Sequence, residues 1–150
     1  MCTFKTTTDL DSQTYKDSLG IRMKVFLGEQ NVPIEVEIAD EEICLHVVLY
    51  TKQDNSDTDI PMATARLYPY DEETLKVQRV AVLEDGRGKG LGDKMMRYLE
   101  DFAREEGAAK LILGAQTHAL AFYQKLGYES YDERYLEAGI EHQNMQKVLN

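Results

Sequence analysis

Residues 79–96 read RVAVLEDGRGKGLGDKMM. A short apolar alternation runs into Gly86, Gly88, Gly90 and Gly92, with Arg87 and Lys89 between them, and a helical pattern follows at once. Glycine lets backbone approach a ligand closely, and a helix N-terminus adds partial positive charge. A strand-to-helix junction this open and this basic suits a phosphate group. Residues 75–97 carry six basic side chains (Lys76, Arg79, Arg87, Lys89, Lys94 and Arg97) against three acidic ones, in a chain of net charge −10. Solvation of a helix face accounts for Lys94 and Arg97. The charge at Arg87 and Lys89 fits an anionic cofactor.

Spacing selects among the phosphate-binding patterns. A dinucleotide fingerprint needs glycines at i, i+2 and i+5. Counting from Gly86, Gly88 or Gly90, the third place holds Leu91, Asp93 or Met95, so that pattern fails. A P-loop needs Ser or Thr after Gly-Lys and a glycine five places earlier. Gly88-Lys89 is followed by Gly90, and the earlier place is Leu83. What remains is Arg87-x-x-Gly90-x-Gly92 between a strand and a long helix.

Working outward, TLKVQRVAVL and PMATARLYPY read as neighbouring antiparallel strands separated by DEE, with LHVVLYT as the strand before them. KQDNSDTD is a polar turn. TFKTT forms a short first strand. Tyr15, Leu19, Arg22 and Phe26 recur at helical spacing from Asp11 to about Leu27, although Gly20 weakens the helix. GEQNVPIEVEIADEE, with Pro33 and crowded acids, reads as a loop. After the glycines, Leu91, Met95, Met96, Leu99, Phe102 and Ala103 mark one helix face, and Gly107 stops it. KLILGA is a short apolar strand covered on both faces. Thr117 caps HALAFYQKL, and Gly127 ends it. YESY and HQNMQKVL give two last strands, with the form of the joining segment left open. The order β-α-β-β-β-α-β-α-β-β defines an α+β (mixed α/β) domain spanning 1–150.

A chain of 150 residues, 43% hydrophobic and 29% charged, builds one core as a soluble globular protein. Its acidity argues against nucleic acid as a partner. No apolar run is long enough for a membrane span, and MCTFKTTTDLD does not read as a signal peptide. Cys2 and Cys44 read as reduced thiols of a cytoplasmic protein. None of the three histidines has metal-ligand spacing with another ligand, so no metal is expected.

The Arg87-x-x-Gly90-x-Gly92 pattern resembles the acyl-CoA loop of the GNAT N-acetyltransferase superfamily. HALAFYQKLGY, with Ala119, Phe122, Tyr123, Gly127 and Tyr128, is similar to the late helix of the same family. IRMKVFLGEQNVPIEVEIAD and YLEAGIEHQNMQK further resemble its small ElaA/YjcF-like branch. The resemblance covers the whole chain. It implies a central, mostly antiparallel twisted sheet of about six to seven strands with helices on both faces. It also implies acetyl-CoA as co-substrate, a primary amine as acceptor and direct attack with both bound. A homodimer is a common state in this family.

Residue by residue, the resemblance assigns cofactor contacts to Val80, Ala81, Val82, Arg87, Gly88, Lys89, Gly90, Leu91, Gly92 and Ala119. Val80–Val82 would pair with the pantetheine arm through main chain while their side chains pack in the core. Tyr123 is the candidate acid, since a phenol is protonated at neutral pH. On helical spacing alone it is a core tyrosine, lying on one stripe with Ala119, Phe122 and Leu126. The base is open. Many relatives carry a glutamate where this chain has Gln78, which cannot accept a proton. His142, Glu35 and Glu37 are the replacements, although loop solvation accounts well for the two glutamates. His46 reads as structural, and His118 as lying at a helix start. An amino sugar, a polyamine or another small amine fits as substrate, and the acidic EVEIADEE loop favours a cation. An acyl-CoA-binding module without turnover is the competing reading, kept open by Gln78 and opposed by Tyr123.

Overall fold

In the computed structural model, residues 2–52 and 57–149 are described, apart from the side chains of Val36 and Glu37. In chain order these form β1 (Cys2–Thr7), α1 (Gln13–Arg22), α2 (Ile34–Glu37), β2 (Leu45–Lys52), β3 (Asp59–Pro69) and β4 (Thr74–Val82). They continue with α3 (Leu91–Glu105), β5 (Lys110–Gln116), α4 (Leu120–Lys125), β6 (Glu129–Glu137) and β7 (Ile140–Val148). The strands make one seven-stranded sheet in the order β1-β2-β3-β4-β5-β7-β6. Neighbours are antiparallel except β4 and β5, which run parallel and are joined through α3.

The pleat divides the apolar residues between two faces, because successive side chains of a strand point in opposite directions. From β2, Val47 and Leu49 join the larger core beneath α3, where Leu91, Met95, Met96, Leu99 and Ala103 are buried. Val48 and Tyr50 face the other way and pack with Ile21, Val25 and Phe26. Helices therefore cover both faces of an α+β fold.

The first helix starts at Gln13, with the Ser12 hydroxyl accepting from the Tyr15 N–H at 3.1 Å. It runs through the exposed Gly20 and continues as a π-helical stretch over Met23–Glu29. Its buried stripe holds Ser18, Ile21 and Arg22, whereas Leu19 is only half-buried. That corrects the stripe drawn through Leu19. Ser18 turns inward because its hydroxyl meets Thr64 at 2.6 Å. Arg22 turns inward because Glu41 neutralises it, with 3.0 and 2.6 Å contacts to the two carboxylate oxygens. Arg66 donates to the same carboxylate at 2.7 Å.

The segment read as a loop contains α2, with Pro33 at its N-cap, and a 3-10 turn over Glu41–Ile43. Thr117 caps no helix: it opens a 3-10 turn, α4 starts after Ala119, and no side chain caps either element. Gly107 and Gly127 end α3 and α4 as read, both at positive φ. The last two strands are longer than YESY and HQNMQKVL. The segment left open belongs to β6, β7 and a tight turn at Ala138-Gly139, both residues at positive φ. β6 hides its periodicity because it is an edge strand with little of either face buried. Gln53–Ser56 of the polar turn lie outside the described residues. Cys2 and Cys44 are both free thiols, and no helix among the described residues is long and apolar enough to cross a membrane.

Two guanidiniums and one carboxylate, all nearly sealed from water, make Glu41 the tie between the 34–43 segment and the sheet. Burial pushes its pKa up, but hydrogen bonds from Arg22 and Tyr15 and the charges of Arg22 and His46 outweigh this and lower it. The folded carboxyl thus holds its proton less tightly than the unfolded one. Its stabilisation is complete above the unfolded pKa and is lost as pH falls through the folded one. Glu41→Ala, which removes the carboxylate shared by two buried cations, is expected to cost about 3 kcal/mol or more in urea denaturation at neutral pH. The gap between parent and variant should narrow below about pH 4.

Candidate active site

β4 and β5 pair only from Thr74↔Lys110 to Val77↔Leu113. Beyond Val77, β4 turns away. On its other edge, Thr64 pairs with Ala81 while Arg66 pairs with Gln78, so β4 carries one extra residue. That is a β-bulge, and Arg79 absorbs it at φ 57°. A bulge bends its strand, and here it leaves the backbone of Val80–Val82 without a strand partner among the described residues on the β5 side.

A cavity of about 530 Å³ fills the opening. Val80, Ala81, Val82 and Arg87 border it from β4 and the turn that follows. Ala119 and Tyr123 border it from beside and within α4, and His142 from β7. Seven of the residues singled out from sequence thus share one cavity. Gly88, Lys89, Gly90, Leu91 and Gly92 lie outside this lining, in the turn leading into α3. Gly88 and Gly90 stand at φ +77° and +76°, and a Cβ built on either meets nothing within 4 Å. These glycines therefore answer a backbone requirement rather than crowding. Among the described residues, the N–H groups of Gly88 to Asp93 donate to no backbone carbonyl. The first such bond of the helix is Lys94 N–H to Gly90 O, at 3.1 Å. Leu91 is itself a core side chain and offers the turn only its backbone. Open N–H groups at a helix N-terminus are an anion site by construction. Arg87 donates to Val82 O at 3.0 Å and to both carboxylate oxygens of Glu29 at 2.8 and 3.1 Å.

Tyr123 is 8% exposed and meets Phe122 and Tyr128 edge-on, with ring centroids 4.9 and 5.9 Å away. Its hydroxyl makes no hydrogen bond to the described residues. Burial pushes its pKa up to about 12, so the phenol keeps its proton at neutral pH. His142 is buried against Tyr135, ring centroids 5.6 Å apart, with Nδ1 2.7 Å from Ile140 O. A carbonyl only accepts, so Nδ1 carries the proton and neutral His142 keeps a lone pair on Nε2. Glu137 Oε2 stands 3.8 Å from that nitrogen. Glu35 is exposed and away from the cavity, and the Glu37 side chain lies outside the described residues. His46 is buried, with Nε2 donating to Glu41 O at 3.0 Å, which is a structural role. His118 sits in the 3-10 turn before α4, 2.6 Å from Gln116 Oε1.

Several cavity residues escaped the sequence reading. Gln30 exchanges amide hydrogen bonds with Gln116 at 2.9 and 3.3 Å, bridging the end of the first helix to the end of β5. Tyr135 crosses Gly114 of β5 so closely that a Cβ there would collide with the phenol oxygen. A glycine inside the apolar run KLILGA was the available signal, since such a glycine often marks a close approach. Nothing in sequence marked Arg79 as a bulge residue. Among the described residues, no group of three His, Cys, Asp or Glu side chains is placed to hold a metal ion.

A mostly antiparallel sheet split between two parallel strands, with a helix N-terminus beside the split, defines a GNAT-type acyltransferase domain. Residues 40–149 match the acetyltransferase (GNAT) domain family, so the chain belongs to that family and is an acetyltransferase. It is 38% identical over 139 residues to the uncharacterized N-acetyltransferase YjcF of Bacillus subtilis, covering 91% of this chain and 94% of that one. The crystal structure of Escherichia coli ElaA is 27% identical, with TM-score 0.82 over 98% of this chain and 99% of that one. An aminoglycoside 6'-N-acetyltransferase solved with coenzyme A shares the fold at TM-score 0.73 and 17% identity, over 99% and 97% of the two chains.

Gly90→Ala tests the turn without touching a neighbour. A side chain at φ +76° should destabilise the fold by about 1–2 kcal/mol in urea denaturation, although the new methyl group meets open space.

Proposed function

We propose that the chain works as one domain, residues 1–150, that transfers the acetyl group of acetyl-CoA to a primary amine of a small molecule, with both substrates bound together. The convergence of unpaired β4 backbone, Tyr123 and His142 on one cavity, beside a turn of open N–H groups, carries this reading. The turn suits a pyrophosphate. Its N–H groups from Gly88 to Gly92 can donate to phosphate oxygens, Lys89 adds charge, and Arg87 would exchange Glu29 for phosphate. Val80–Val82 offer main-chain partners to an extended arm, and Ala119 keeps the wall low.

Acetyl-CoA would supply an activated thioester carbonyl carbon. As the amine nitrogen bonds to that carbon, the carbon–sulfur bond breaks. Nε2 of His142, directly or through a water, takes the proton released by the nitrogen. Tyr123 returns a proton to the departing sulfur. The same burial that makes Tyr123 a weaker acid also makes a thiolate beside it a stronger base, so the transfer remains matched. Gln78, with no proton to accept or give, is left to bind rather than to catalyse.

Acetyl-CoA should raise thermal stability by roughly 2.7 kcal/mol at a hundredfold excess over its Kd, with NAD or ATP doing much less. Gly90→Val should stay folded and lose most of this gain, and Arg87→Ala should lose less of it. A larger shift with NAD than with CoA would overturn the assignment.

Tyr123→Phe separates catalysis from packing. Thiol release with an accepted amine should fall ~10²-fold or more. CoA affinity and stability should hold, because the lost hydroxyl had no partner among the described residues. Undiminished turnover removes Tyr123 from the mechanism.

A further inference from the structure

We propose that Glu100, buried in α3, is a positioning residue for Tyr123: through Tyr128 and Lys147 it fixes the end of α4 on which the acid stands. This rests on the acetyl-transfer reading above and adds a residue to its machinery.

α4 has 6 residues, too few to hold its shape alone, and no side chain caps its start. Its end is better tied. Tyr128 N–H donates to Tyr123 O at 3.1 Å and Gly127 N–H to Gln124 O at 3.0 Å, with Gly127 at φ +98°. A helix end closed in this way brings the residue after the glycine back against the one five places earlier, and their side chains pack together. Here those residues are Tyr128 and Tyr123, whose rings meet edge-on with centroids 5.9 Å apart. The Tyr123 hydroxyl has no hydrogen bond to the described residues, so the packing of its ring sets its direction. Whatever fixes the Tyr128 ring fixes one side of the acid.

Glu100 does this. It is 6% exposed, on a helix whose buried neighbours Met96, Leu99 and Ala103 are apolar. A carboxylate in that setting needs partners for both oxygens. Oε2 accepts from the Tyr128 hydroxyl at 3.0 Å, and Oε1 accepts from Lys147 Nζ of β7 at 2.9 Å. Burial and the Glu100 charge both raise the Tyr128 pKa, so its hydroxyl remains a donor. Lys147 also donates to Leu126 O at 2.6 Å, one of the carbonyls that a helix end leaves open. Its ammonium stands 5.8 Å from the centre of the Tyr128 ring. Glu100, Tyr128 and Lys147 do not border the cavity, so the cluster reaches the chemistry only through Tyr123. Apolar contacts alone would join α3, α4 and β7. Hydrogen bonds add direction, and a displacement of about 1 Å in a catalytic group can cost ~10²-fold in rate.

The experiment is a double-mutant cycle on thiol release with an accepted amine. Glu100→Ala is expected to lower kcat roughly tenfold or more, while KM for acetyl-CoA stays within about twofold. Added to Tyr123→Phe, it should cost no further kcat, because no hydroxyl remains to be placed. Glu100→Gln, whose amide accepts from Lys147 and donates to the Tyr128 oxygen, should restore kcat to within about threefold of the parent. If Glu100→Ala does not fold, Tyr128→Phe keeps the ring, removes the bond and runs the same cycle. Unchanged kcat in the folded single variant overturns the proposal. So does an equal loss in both backgrounds, which a merely structural Glu100 predicts. If CoA binds but the parent acetylates no amine, the acetyl-transfer reading fails and the ring itself is followed. In protein carrying isotope-labelled tyrosine, the Tyr123 NMR signal is assigned by its loss in Tyr123→Phe. The positioning role then stands only if that signal shifts or broadens in the folded single variant and not in Glu100→Gln, with the signal of Tyr50, on the other face of the sheet, unmoved. A Tyr123 signal that does not respond overturns it.

Discussion

The parting of β4 from β5 after Val77 and Leu113 is the constraint on which the rest of the site depends. A continuous parallel pair would satisfy the backbone of Val80–Val82 and close the cavity. The chain prevents this with one extra residue, taken up by Arg79 in a left-handed conformation that most side chains avoid. Such strain persists only where the surroundings hold it. Here they do: β4 is paired with β3 on both sides of the bulge, and Ala81 is packed beneath the first helix.

Each wall of the cavity follows from that parting. α3 must start where β4 has been bent aside, so its open N–H groups stand beside the freed strand rather than under the sheet. The extension of the first helix closes the near side through Glu29 on Arg87 and Gln30 on Gln116. The β6–β7 hairpin closes the far side, with Tyr135 stacked on His142. The near-side closure is made of polar side-chain contacts rather than apolar packing, and such contacts can exchange with a ligand at modest cost.

Much of this was legible in the sequence because it rests on local chemistry. Alternating glycines leading into Leu91, Met95 and Leu99 announce an open turn and an amphipathic helix, and both are present. Helical spacing put Tyr123 on a buried stripe, where it lies, and the resemblance rather than the spacing tied it to a site; it borders the cavity. What could not be read depends on contacts distant in sequence. Ser18 looks like a solvent-facing position until Thr64 arrives to satisfy it, and spacing that puts Arg22 on the buried stripe does not reveal that Glu41 meets it there. β6 lacked a strand's alternation because an edge strand has little core face to alternate with. Thr117 looked like a cap because threonine often is one, yet the chain enters α4 through a 3-10 turn and needs no side-chain oxygen there.

Charge shows the same division at the level of function. A net charge of −10 and the loop EVEIADEE argue for a cationic substrate if every charge is counted as a surface charge. The fold spends them differently. Glu41, from that loop, is drawn inside by Arg22 and Arg66, and Glu29 is tied to Arg87. Because a guanidinium cannot accept, Arg66 also dictates which end of the Gln78 amide turns away from it. Net charge describes the field far from the protein, and at contact distance the orientation of individual donors decides. Position 78 makes the difference concrete. A carboxylate there would answer Arg66 equally well and leave a second acceptor at the cavity wall, while the amide answers Arg66 and leaves an N–H donor.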